Sequence, residues 1–109
     1  MIHVHFERDE NGAVTSFTMS GHAESGPYGY DLVCAGASAV SFGAVNAVYE
    51  LTGTKLDVGM ESGGGYLSAA VPQGLPERVF SQVQLLLEGL LVSLKTIEDQ
   101  YGEFIRVHS

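Results

Sequence analysis

Ile2-His3-Val4-His5-Phe6-Glu7, followed by Asp9-Glu10-Asn11-Gly12, decides how the fold begins. The first six residues alternate apolar and polar side chains, the period of a strand with one buried face, and the next four are turn formers. Ala13, Thr15, Phe17 and Met19 continue the alternation. The segment therefore predicts an amino-terminal hairpin ending near Ser20, with Asn11-Gly12 supplying residues tolerant of positive φ.

Beyond the hairpin, Gly21 to Tyr30 holds Gly21, Gly26, Pro27 and Gly29 with few apolar anchors, which predicts a loop with many backbone states. Leu32 to Leu51 is nearly all small and apolar, with Ala35, Ala37, Val40, Phe42, Val45 and Val48, the pattern of a helix buried on most sides. Leu56, Val58 and Met60 alternate with Asp57 and Gly59, and Tyr66 to Val71 returns after Ser62-Gly63-Gly64-Gly65 as a second hairpin. Pro76 suits the first turn of a helix. From Val79 through Val83, Leu87, Leu90, Leu94 and Ile97, apolar residues follow a 3.6-residue period up to Tyr101-Gly102. Phe104, Ile105 and Val107 predict a last strand. The order ββαββαβ implies an α+β fold, a single domain over residues 1–109 with one sheet packed against two main helices.

The chain of 109 residues is 45% hydrophobic and 17% charged, rich enough for a packed core. It begins without a basic segment leading into an apolar one, and no stretch was expected to approach a membrane-spanning run, so a soluble, cytoplasmic protein without membrane partners is the expectation. One cysteine makes no internal disulfide and no multi-thiolate metal site, and no cofactor or metal is expected. Thirteen acidic residues against five basic ones give a net charge of −8, which disfavours direct nucleic-acid binding and suits a basic polypeptide partner.

The chemistry-bearing segment is Gly21-His22-Ala23 and, further on, Asp31-Leu32-Val33-Cys34-Ala35-Gly36-Ala37-Ser38. With the helix starting near Leu32, Cys34 falls in its first turn, where free amides and the helix dipole favour a thiolate. The amides of Cys34 and Ala35 would then serve a developing oxyanion. A cysteine nucleophile needs a base, and His22 at the end of a strand is the candidate. Spacing alone leaves Cys34 open between nucleophile and small buried hydrophobe. Asp31 is either the N-cap to the Cys34 amide or a partner that orients His22. Ser38, one turn beyond Cys34, is a donor near the thiolate or a hydroxyl bonded back to the helix. His3 and His5 share one strand face, and two ligands do not make a metal site.

Gly21-His22-Ala23 and Gly29-Tyr30-Asp31-Leu32-Val33-Cys34-Ala35-Gly36-Ala37-Ser38 resemble the ribosomal-processing cysteine protease family called Prp, as do Ser41 to Ala47 and Leu91 to Glu98. The resemblance implies a homodimeric cytoplasmic endopeptidase of Firmicutes-type bacteria. Its substrate would be the N-terminal extension of large-subunit ribosomal protein twenty-seven, cut after aromatic residues. It further implies His22 and Cys34 as the catalytic pair, and the segment carrying Gly21, Gly26, Gly29 and Tyr30 as a substrate loop. The competing readings are a noncatalytic ribosome-associated binding module with a buried cysteine, and a redox-sensing thiol.

Overall fold

A computed structural model describes residues 1–21, 28–61 and 65–109, and the side chains of all of these except 28–31. Five strands and two helices follow one another as β1 (Ile2–Arg8), β2 (Val14–Ser20), α1 (Tyr28–Thr52), β3 (Asp57–Met60), β4 (Tyr66–Ala70), α2 (Glu77–Tyr101) and β5 (Ile105–His108). This is the expected ββαββαβ order and α+β class. The sheet runs β3-β4-β2-β1-β5. Every pairing is antiparallel except β1 with β5, so the sheet is mixed.

The β1–β2 turn is built on Asp9, whose Oδ1 accepts the amides of Asn11 and Ala13 at 2.9 and 3.0 Å. Gly12 alone takes the left-handed conformation, φ 86°, so the Asn-Gly pair supplies one positive φ rather than two. On β2 the alternation read from sequence breaks. The register passes from Glu7 opposite Ser16 to Arg8 opposite Val14, leaving Thr15 as the extra residue of a bulge. Val14 and Phe17 are both fully buried as a result, and Thr15, expected on the core side, is exposed.

Gln84 of α2 secures this point. Its Oε1 accepts the Val14 amide at 2.7 Å and its Nε2 donates to the Val14 carbonyl at 2.8 Å, so one side chain satisfies both backbone groups of a buried residue.

One sheet face carries Ile2, Val4, Phe6, Phe17, Leu67, Ala69 and Ile105 into the core. Helix α2 meets it with Val83, Leu87, Leu90, Leu91 and Leu94, the stripe its periodicity predicts. Val33, Ala37 and Val48 of α1 join the same cluster. α1 ends where Gly53, φ 75°, donates its amide to the Tyr49 carbonyl at 2.9 Å, a glycine C-cap. Contrary to expectation, Leu32–Thr52 is long and apolar enough to cross a membrane by length and composition, with a mean hydropathy of 1.5. Core packing accounts for only part of that apolar surface, since Leu32, Phe42, Tyr49 and Leu51 are exposed.

Candidate active site

Along α1, Cys34, Ser38 and Phe42 are spaced four apart and so share one face. That face meets the ends of the inner strands: Ile2 from β1, Met19 from β2 with Gly21 just beyond it, and Leu67 from β4. Together with Met60, Tyr66 and Glu61 they enclose a cleft of about 160 Å³. Its walls are mainly apolar. Cys34 is a free, half-buried thiol that lines the cleft and packs against the core cluster. Ser38 is also half-buried, one turn along.

Gly21 closes the cleft on the β2 side. Its φ is 124°, its amide donates to the Gly65 carbonyl at 3.0 Å, and a Cβ placed on it would run into the Met1 carbonyl oxygen and stand 3.0 Å from the Ile2 Cα. Only glycine fits there, and His22 is the next residue of the chain.

The structure thus brings Cys34, Ser38 and Gly21 to one cleft. Ala35 lies exposed, off the cleft-facing row of α1. Gly29, Tyr30 and Asp31 lie at the start of α1, with side chains outside the described set, and His22 and Gly26 lie outside the described residues.

The expectations about the helix start need correction. α1 begins at Tyr28 rather than near Leu32, which puts Cys34 in the second turn. The amides of Cys34 and Ala35 are therefore committed to carbonyls four residues back and are not free for an oxyanion. The helix dipole, which acts within the first turn, loses most of its hold on the thiol. Asp31 is inside the helix and is not its N-cap. Of the predicted Gly21 to Tyr30 loop, Tyr28, Gly29 and Tyr30 are helical, and residues 22–27 lie outside the described residues.

Sequence reading missed Phe42, Met60, Glu61 and Tyr66 as cleft residues. The i, i+4, i+8 row from Cys34 could have found Phe42. Met60, Glu61 and Tyr66 arrive through the β3–β4 pairing, which no local signal announces.

An α+β core with one free thiol opening onto an apolar cleft has the build of a cysteine protease, and comparison with known proteins establishes that class. The model of the family described as Cysteine protease Prp matches residues 1–106, and the chain belongs to that family. The chain is 45% identical over 109 residues to the ribosomal processing cysteine protease Prp of Bacillus subtilis strain 168, covering 98% of this chain and 96% of that one. It is also similar to the crystal structure of an essential ribosomal processing protease Prp from S. aureus in complex with a substrate peptide. That match has a TM-score of 0.87 and 42% identity, over 99% of this chain and 98% of that one. The S. aureus protease with a covalently linked product peptide gives a TM-score of 0.85 at 42% identity, with coverage of 99% and 98%.

Proposed function

We propose that the chain removes the N-terminal extension of large-subunit ribosomal protein twenty-seven during bacterial ribosome maturation, with Cys34 as nucleophile and His22 as general base. The observation that carries the reading is the shared cleft, lined by both Cys34 and Gly21, the residue preceding His22. The B. subtilis and S. aureus relatives, both ribosomal processing proteases by name, support the substrate class.

In this mechanism the Cys34 sulfur, its proton passed to His22, attacks the scissile carbonyl carbon. The tetrahedral adduct collapses as the imidazolium returns that proton to the departing amine, leaving a thioester on Cys34. Water, deprotonated by the same imidazole, then hydrolyses the thioester and regenerates the thiol. Oxyanion donors come from outside the Cys34–Ala35 amides, which the helix has taken. Met19, Phe42, Met60 and Tyr66 line the cleft and supply the apolar surface that a substrate aromatic residue needs.

Incubating the protein with a peptide spanning the ribosomal extension, and reading the products by mass spectrometry, should show a single cut after an aromatic residue. Binding without cleavage would replace the protease with a noncatalytic binder. The working unit is a cytoplasmic homodimer in this proposal, supported by the exposed apolar side chains Tyr49 and Leu51 on α1 and Val58 on β3. Light scattering on the purified protein should return twice the 11.6 kDa chain mass, and a monomer mass would remove the dimer.

A further inference from the structure

The sheet face away from the helices carries His3 and His5 on β1, and its edge strand brings a third histidine that the sequence reading did not connect with them. β5 runs parallel to β1 in a register that sets His108 directly opposite His5. His3 is two residues before His5 on the same strand and shares its face. The chain has four histidines, and three of them meet here.

The rings stack. His5 and His108 lie with ring centroids 4.3 Å apart and planes 8° from parallel, and His3 stacks on His108 at 5.7 Å and on His5 at 6.4 Å. One ligating nitrogen from each ring falls within 4.8 Å of the other two. His3 Nδ1 and His108 Nε2 are 3.5 Å apart.

We propose that His3, His5 and His108 form a binding site for a divalent transition-metal ion of the zinc class. A tetrahedral ion with metal–nitrogen distances of about 2.0–2.1 Å needs ligand nitrogens about 3.3 Å apart. The His3–His108 pair is already near that spacing. Because a metal lies in the plane of each ligating ring, the nearly parallel rings must turn out of their stack for the three nitrogens to converge, a rotation that exposed side chains can make. The three imidazole nitrogens hold the ion, and water completes its shell.

Three neutral imidazoles select zinc, cobalt or nickel over calcium and magnesium, which take oxygen ligands. Glu7 lies two residues after His5 on β1 and Arg106 two residues before His108 on β5, each on the same strand face as its histidine. The sheet separates this site from Cys34, whose helix packs on the opposite face.

The test is calorimetric titration of Zn²⁺ into tag-free Cys34→Ala/His22→Ala protein, a background that removes the competing thiol and imidazole of the proposed dyad. One ion per chain is expected, with no saturable heat from Mg²⁺. His108→Gln should weaken Zn²⁺ binding about tenfold or more, and His3→Gln/His5→Gln/His108→Gln should abolish it. A parent protein that takes up no Zn²⁺, or uptake that survives the triple replacement, overturns the site. A second measurement needs none of these histidine replacements: the ring-proton resonances of His3, His5 and His108 should move together at one equivalent of Zn²⁺, and movement confined to other residues overturns it equally.

Discussion

Cys34 is the sole cysteine of the chain, half-buried between the core and an apolar cleft, and the proposed chemistry rests on its sulfur. Cys34→Ala keeps a small apolar side chain in an alanine-rich helix, so fold and peptide binding should survive while cleavage falls about a thousandfold or more. Residual cleavage at the wild-type rate, followed on the ribosomal peptide, would remove the mechanism. Gly21 makes a different demand, since it acts through backbone. Gly21→Ala meets both a left-handed φ of 124° and the Met1 carbonyl. The strand must shift, carrying the His22 position with it, at a cost of about 1–3 kcal/mol. Chemical denaturation together with single-turnover cleavage should show losses in both stability and rate. A variant of wild-type stability and rate would show that the β2 exit does not fix the cleft.

At the scale of elements, α2 braces the strands by side-chain bonds as well as by its leucines. Gln84→Ala leaves the Val14 amide and carbonyl without their partner at a buried bulge, and about 1–2 kcal/mol of stability should be lost in urea titration. Glu88 of α2 and Arg8 of β1 form a two-point ion pair, at 2.7 and 3.0 Å. The hydrogen bonds from Arg8 hold the Glu88 carboxyl below its ordinary range; burial opposes this, and the Arg8 charge adds to it. A depressed folded value means the stabilisation is fully present above the unfolded glutamate pKa of about 4.3 and is lost as pH falls through the folded value. Since Glu88 is 43% exposed, the effect is small. Glu88→Gln should cost under about 1 kcal/mol at pH 7, and wild type and variant should converge once the pH has fallen below the lowered folded value. A constant gap across that range would assign the loss to packing.

The same elements show what local pattern reveals. The α2 stripe was legible because its apolar residues keep one period through a long helix. The inward face of β2 was only half legible: Phe17 and Met19 follow the alternation, but the bulge at Thr15 is set by pairing with β1. The start of α1 was misplaced because Gly29 and the nearby glycines favour loops, and propensity is a weak guide to where a helix begins. That Cys34 and Ser38 share one helix face was legible from their spacing of four. Met60, Tyr66 and His108 became neighbours of the two sites only through strand order, and strand order is not written in any one segment.

The whole molecule carries a net charge of −8, and the substrate proposed for it, a ribosomal protein, is strongly basic. Opposite charges accelerate encounter at long range, whereas the cleft itself is walled mainly by apolar side chains and contributes short-range contacts. The second-order rate constant for cleavage of the full-length ribosomal protein should therefore fall as salt rises from about 0.01 to 0.15 M, where the screening length contracts from roughly 30 to 8 Å. A short neutral peptide with the same cleavage sequence provides the contrast. Salt that disturbed the proposed dimer or the thiol of Cys34 would slow both substrates alike, whereas steering slows only the charged one. Rate constants under kcat/KM conditions for the two substrates over this salt range separate these causes. A steep slope for the protein beside a flat one for the peptide is the expected result. Equal slopes would remove steering and leave the acidic surface as a determinant of solubility alone.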